Sequence, residues 1–376
     1  MKGYYIPFGA RSIVSINKKI DMQKEQLSKL GAVEEVDVKI APKSVIRQAL
    51  SVFPFVDLPW DYSEAYDKIK NPDYIYMRRT GADRKFIKFL KNMRSQYPKC
   101  KLICEIPTYP YIGEMLQSYR GWLFIVKELY NRRKLKKYVD RFVTYSADDN
   151  ILGVPTIRTK NGIDVASIKP VTARKRDGMQ IDMIAVAVMR KCHGYERVIK
   201  GIQQYYNSGG TRNIILHLVG DGSEKQYYEK LVQKYNLSQH VIFYGRKIGK
   251  ELDEIYEKAD IALSMFGLYK GGIEKISSLK ANEYLAKGLP VVSGCREAVF
   301  ENKQFEYYYE FENDASIIDM QKIIDFCDEI YGKKTKEEVV REIRKFAFQQ
   351  VDMGVTMNPL LDYIVDMRDD KKPMYI

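Results

Sequence analysis

Lys280 and Glu283 stand three residues apart in SSLKANEYLAKG, a run opened by serines and closed by a glycine, the pattern of a short capped helix. At that spacing both side chains leave one helix face, near the end where unpaired backbone N–H groups collect. Ser278 and Leu279 begin the helix, so N–H groups and one lysine together suit a phosphate. A carboxylate one turn on can accept hydrogen bonds from two vicinal hydroxyls, as on a ribose. The combination points to a nucleotide-sugar site, although the same pair would also serve as a charge pair on a surface helix. Gly271 and Gly272 mark a loop ahead of the helix, and PVVSG after it reads as a buried strand.

A second group of polar residues lies further back. IDMIAVAVM is a near-continuous apolar strand, followed by RKCHGYERVIKG as loop and helix, so Arg190, Lys191 and His193 fall at the strand's carboxyl end. Of the three histidines, His217 sits in an apolar strand and reads as structural, His240 borders a strand, and only His193 is placed to meet a ligand. No DxD cluster or His/Asp/Glu ligand set accompanies these residues, so no motif requires a divalent metal; Asp148–Asn150 reads as a helix cap. The five cysteines lack zinc-type pairing and are expected to be reduced and structural.

Such side chains need a scaffold, and 376 residues, 45% of them hydrophobic, suffice for two domains with real cores. GYYIPFGA, a helix through Ile20, Gln23 and Leu27 stopping at Gly31, and VEEVDVKI form the opening of a parallel α/β unit, whose ligands sit beyond the carboxyl strand ends where Gly9, Ser15 and Asn17 lie. Helix SEAYDKIK, strand DYIYMRR, a helix from about Asp83 to Ser95 and strand KLICEIP follow. Glu105, near the end of that last apolar strand, is either paired or at a cleft floor, and Thr108, Tyr109 and Tyr111 lie in the proline-fixed loop after it. A turn at Asn161-Gly162 and the charged stretch up to Gly178 separate a second strand–helix alternation. The expected boundaries are 1–165, 166–345, and a C-terminal segment 346–376 whose last helix, MNPLLDYIVDM, turns Leu360, Leu361, Ile364 and Val365 to one face.

Charge is uneven: residues 1–200 carry 38 Lys+Arg against 21 Asp+Glu, and residues 201–376 carry 24 against 28. Nucleic acid, an anionic membrane surface and a phosphorylated substrate all fit a basic first half. Residues 118–141 combine apolar residues at helical spacing with five closely set basic residues. They read either as a membrane-surface element or as a core helix with a solvated basic face. No apolar run of about 18 residues occurs, and the start lacks a signal-peptide core, so a cytoplasmic protein, at most peripheral at the inner membrane face, is expected.

The segments NGID, HGYERVIKG, LVGDGSE, VIFYGR and SSLKANEYLAKGLPVV, in that order, resemble the retaining glycosyltransferases of family 4, and EIPTYPY resembles a subgroup from bacterial surface-polysaccharide clusters. The resemblance implies the GT-B fold: two Rossmann-like parallel α/β domains facing across a cleft, with a C-terminal helix crossing back. It implies transfer of a sugar from a UDP- or GDP-sugar to a saccharide or lipid-linked acceptor, with no cofactor, no metal and no nucleic-acid partner. An epimerase or hydrolase of the same fold is the alternative. Carried over by position, Glu283 would hold the donor ribose and Lys280 the diphosphate, with Lys191, Ser278, Leu279 and Gly9 also on the donor. The family's sugar-contacting glutamate position holds Lys275, leaving Glu274 one residue away to serve. A lysine that would help hold the diphosphate is replaced by His193, so Arg190 or Lys191 would supply charge. Glu105, Thr108, Tyr109 and Tyr111 would form the acceptor side.

Overall fold

The computed structural model describes residues 1–12, 14–40, 60–79, 81–107, 109–111, 125, 128–172, 178–301 and 304–366. It divides into two compact units, Met1–Lys160 with Thr356–Ile376, and Asn161–Val355. Thr108, the side chain of Ser15 and residues 118–124, 126 and 127 lie outside the described residues.

In the first unit, strands Ala32–Glu35, Lys2–Ile6, Tyr74–Arg78, Lys101–Ile106, Arg141–Thr144 and Val154–Arg158 pair in that order, all parallel. The chain leaves its first strand toward one side and all later strands toward the other. A switch point therefore falls between Lys2–Ile6 and Tyr74–Arg78, the place where open α/β sheets accept ligands. Gly9 follows the first of these strands with φ +73°, a conformation that favours glycine. Helix Arg84–Gln96 is started by Asp83, whose carboxylate accepts the Phe86 N–H at 2.9 Å, and it lays Phe86, Phe89, Leu90 and Met93 on the sheet. Each such buried side chain contributes about 1.5–3 kcal/mol.

Two local readings change in three dimensions. Asp148–Asn150 caps no helix: Asn150–Ile151 is an antiparallel strand against Val154 and Pro155, and the Asn150 carboxamide oxygen accepts the Gly153 N–H at 2.9 Å to close the turn. The acidic and amide side chains there serve a hairpin, which their turn chemistry allows equally well. In the last helix, Asn358–Val365, Leu360 and Ile364 are buried while Val365 is half exposed. This helix belongs to the first unit. The Lys101 ammonium donates to the carbonyls of Tyr363, Ile364 and Asp366 at 2.8, 3.2 and 2.6 Å, capping the helix end with positive charge.

The second unit holds six parallel strands in the order Val241–Gly245, Asn213–Val219, Gln180–Val186, Ile261–Leu263, Val291–Ser293 and Tyr308–Glu310. Numbered along the chain this is 3-2-1-4-5-6, the doubly wound dinucleotide-fold order. Its switch point lies between Gln180–Val186 and Ile261–Leu263, so the loops leaving those strands, Ala187–Gly194 and Ser264–Ser278, flank the crevice. The helices Met320–Lys333 and Lys336–Gln350 complete this unit. Among the described residues no helix is long and apolar enough to cross a membrane, and no group of three or more His, Cys, Asp or Glu could hold a metal ion.

Candidate functional site

The two loops at the second switch point carry the residues singled out by spacing. Ser278 is the N-cap of helix Leu279–Lys287: its hydroxyl accepts the Ala281 N–H at 3.1 Å, and Gly288 ends the helix at φ +82°. Tyr284, one turn in, accepts the Val186 N–H at 2.9 Å, tying the helix to the end of the central strand. The turn residue Asn161 braces the approach, donating to the Ser277 carbonyl at 2.9 Å and accepting from the Asn282 amide at 2.5 Å.

Lys280 points back across the strand ends. Its ammonium donates to the Tyr195 hydroxyl at 3.1 Å, and desolvation lowers it to about 7 despite the carboxylates of Glu297 and Glu283. His193 is 6% exposed, with its ring 5.7 Å from that of Tyr195, so Lys280 and His193 share one aromatic neighbour. Arg190 and Lys191, on either side of the loop's entry into a single 3-10 turn, are exposed. Gly194 allows the loop to turn into helix Tyr195–Asn207 at φ +62°; a Cβ there would meet the Phe266 carbonyl carbon at 2.4 Å and the Gly267 nitrogen at 2.5 Å. Gly194→Ala is therefore expected to destabilise the second unit by about 1–3 kcal/mol and to displace His193, read as a lowered thermal midpoint together with weakened nucleotide binding.

Glu283 is half-buried and accepts from the Tyr256 hydroxyl at 3.3 Å. Glu274 is exposed, but its backbone is held: its carbonyl accepts the Arg296 N–H at 3.3 Å, just ahead of the two-residue strand Lys275–Ile276 that pairs parallel with Arg296–Glu297. Lys275 turns away to Glu301 at 2.9 Å.

Glu297 is the residue that sequence reasoning missed. Fully buried, it accepts the Ser264 hydroxyl at 2.5 Å, the Ser278 hydroxyl at 2.9 Å and the Ser278 N–H at 3.3 Å. It thereby fastens both ends of the loop Ser264–Ser278, the second of them the helix start, to the short strand Arg296–Glu297. Burial raises its carboxyl to about 7, against the pull of those serine bonds and of Lys280. The stretch after PVVSG, CREAVFEN, also carries Arg296 and Glu301, so no apolar surrounding of the kind that marked Glu105 singled out Glu297.

The first-unit residues cluster separately. Glu105 is fully buried, accepting from Gln23 at 3.0 Å, Tyr76 at 2.7 Å, Tyr145 at 2.8 Å and Arg78, with the Lys19 ammonium 3.8 Å away. Of the two readings left open for it, paired or at a cleft floor, the geometry is that of a paired carboxylate. Tyr111 is buried and donates to Glu128, and the partly exposed Tyr109 ring meets it edge-on at 6.0 Å. His217 bridges Asp182 at 2.8 Å and Tyr244 at 2.9 Å, a core role, and His240 binds the Tyr206 hydroxyl at 3.0 Å.

Comparison with known proteins bears on the same region. Residues 172–304 match the family model described as glycosyl transferases group 1. A search of the curated proteins found no match. Among solved structures, a sucrose-phosphate synthase from Thermosynechococcus elongatus superposes with a TM-score of 0.60 at 15% identity, covering 97% of this chain and 99% of that one. Anabaena Alr3699/HepE in complex with UDP gives 0.62 at 12% identity with the same coverage, and a glycosyltransferase from Rickettsia africae gives 0.58 at 11%, covering 96% and 97%. At such identities the likeness is one of fold, and with both doubly wound sheets and the returning C-terminal helix in place, the chain has the two-domain GT-B fold.

Proposed function

We propose that the protein is a retaining glycosyltransferase of the family 4 type, which moves a sugar from a nucleoside-diphosphate sugar to a saccharide or lipid-linked acceptor in bacterial polysaccharide synthesis. The observation that carries this reading is the convergence of Lys280, His193 and the Ser278-capped helix start at the second unit's switch point, inside the span that matches glycosyl transferases group 1. The solved relatives with UDP or UDP-glucose bound, Anabaena HepE among them, support the donor class.

In this reading the diphosphate lies against the helix start, where N–H groups and the Lys280 ammonium stabilise charge developing on the leaving phosphate. Arg190 and Lys191, exposed at the mouth of the loop, add positive potential. Glu283 holds the ribose hydroxyls, with Tyr256 fixing one of its oxygens, and Glu274 meets the transferred sugar. The acceptor hydroxyl attacks from the face the phosphate leaves, and that phosphate takes its proton, so no side-chain base is required. Within the first unit, Gly9 at its switch point and the partly exposed Tyr109 are the proposed points of substrate contact, with Tyr111 packed behind Tyr109. An acceptor at the cytoplasmic membrane surface would suit the basic first half.

The test incubates the enzyme with a panel of UDP-, GDP- and other nucleotide sugars, with and without saccharide acceptors, and measures nucleotide release. Glu283→Ala is expected to raise the donor KM about 10- to 100-fold through loss of charged hydrogen bonds to the ribose. Turnover of donor by Glu283→Ala at the wild-type rate and KM would sink the assignment. Interconversion of the nucleotide sugar without acceptor would replace the transferase reading with an epimerase.

A further inference from the structure

The position before Gly194 holds a histidine amid cations, and its hydrogen bonding determines how that histidine can act. The Arg190 backbone N–H points at His193 Nδ1 at 3.0 Å. A peptide N–H can only donate, so Nδ1 must present its lone pair, and the ring proton resides on Nε2. A doubly protonated ring would set Nδ1–H against N–H. The surroundings oppose a charged ring as well. Burial and the Lys280 ammonium lower His193 to about 3. The nearest carboxylate on the following helix, Glu196, is bound to Lys270 from the facing 3-10 turn, and burial pushes the Tyr195 hydroxyl well above its ordinary range, so it brings no negative charge at neutral pH.

Nε2, by contrast, makes no hydrogen bond among the described residues, although the residue is more than nine-tenths buried. An uncommitted N–H beside the N-terminus of the 13-residue helix Tyr195–Asn207 and near Lys280 is open to an acceptor. The atom best suited to that place is an anionic oxygen, because the Lys280 ammonium, the Arg190 guanidinium and the helix start all favour negative charge there.

We infer that His193 is a fixed, uncharged Nε2–H donor to a diphosphate oxygen of the nucleotide substrate and exchanges no proton during turnover. This rests on the nucleotide-sugar reading above. It separates two tasks in the site: Lys280 supplies charge, and His193 supplies a directed hydrogen bond that pH leaves unchanged.

The chain has three histidines, so histidine-selective 15N labelling resolves each ring, with His193→Gln assigning one set of signals. UDP and GDP are titrated in separate samples, and calorimetry on the same samples reports binding. The expected result is an Nε2–H tautomer for His193 throughout about pH 5 to 8 and a displaced Nε2–H signal when nucleotide binds. His193→Gln, which carries an amide N–H to nearly the same place, is expected to bind nucleotide within about threefold of wild type, and His193→Ala about tenfold or more weakly. An Nδ1–H tautomer, a ring that titrates within that range, or nucleotide binding that leaves the His193 signals unmoved would overturn the inference. Equal losses in the Gln and Ala variants would also do so. Absence of binding by any nucleoside diphosphate overturns the functional reading itself, and the ligand assigned to His193 goes with it.

Discussion

Lys280→Ala is expected to lower kcat/KM for the nucleotide-sugar donor about 100-fold or more, the scale seen when one preorganised donor to a developing oxyanion is removed. Lys280 lies in the first turn of the helix, and its loss leaves the leaving phosphate with backbone N–H groups, His193 and the exposed Arg190 and Lys191. Its titration provides a second signature. In the free protein desolvation lowers the ammonium to about 7. A bound diphosphate favours the charged form, so binding takes up a proton above that pH. Donor affinity should be highest below about pH 7 and fall by up to tenfold per unit as pH rises beyond it. The probe should be an intact nucleotide sugar, whose diphosphate diester gains no proton in this range. Calorimetry in buffers of different ionisation enthalpy would count the proton. Lys280→Arg should bind donor with a flat profile, since a guanidinium stays charged. A wild-type profile that is flat from pH 6 to 9 would contradict this assignment of Lys280.

Glu105→Ala is expected to destabilise the first unit by about 3–5 kcal/mol, because it leaves two buried cations without their shared carboxylate. Arg78 and the Lys19 ammonium both rely on it, and Tyr76, Tyr145 and Gln23 lose their acceptor. Desolvation by itself would raise the Glu105 carboxyl, but Arg78, Lys19 and the two tyrosine hydroxyls reverse the shift and hold it at about 2, below its ordinary 4.5. The stabilisation is thus complete above about pH 4.5 and is lost as pH falls through about 2. Both tryptophans, Trp60 and Trp122, belong to the span of the first unit, so their fluorescence during urea unfolding follows that unit alone. A midpoint unchanged by Glu105→Ala at pH 7 would show that the network carries no stability. The position of this network at the carboxyl ends of the first sheet also means that Glu105 can influence a substrate only by positioning Lys19, Arg78 and Tyr145.

Local chemistry set a large part of this molecule in advance. The Ser278 cap, the Asp83 cap, the glycine stop after Lys287 and the alternation of apolar strands with amphipathic helices all depend on residues within a turn or two of one another. The elements therefore stand close to where spacing placed them. The pairing of Lys280 with the start of its helix was legible for the same reason. Contacts between distant segments were decided only by the tertiary structure. Glu297 reaches Ser278 and Ser264 across 19 and 33 residues, and no periodicity announces a buried carboxylate fastening both ends of a loop. Glu105 could be read as paired or as ligand-facing until Arg78, Lys19 and Tyr145 closed around it. The last helix is tied to the first unit by Lys101, more than 260 residues earlier. His193 could be placed at a strand end from sequence, but its proton could not. The donor of the deciding hydrogen bond is the backbone N–H of Arg190, and the cation that helps keep the ring neutral is Lys280, on a helix brought near by the fold. Residue type and spacing determine which groups are available, whereas burial and long-range neighbours determine their charge.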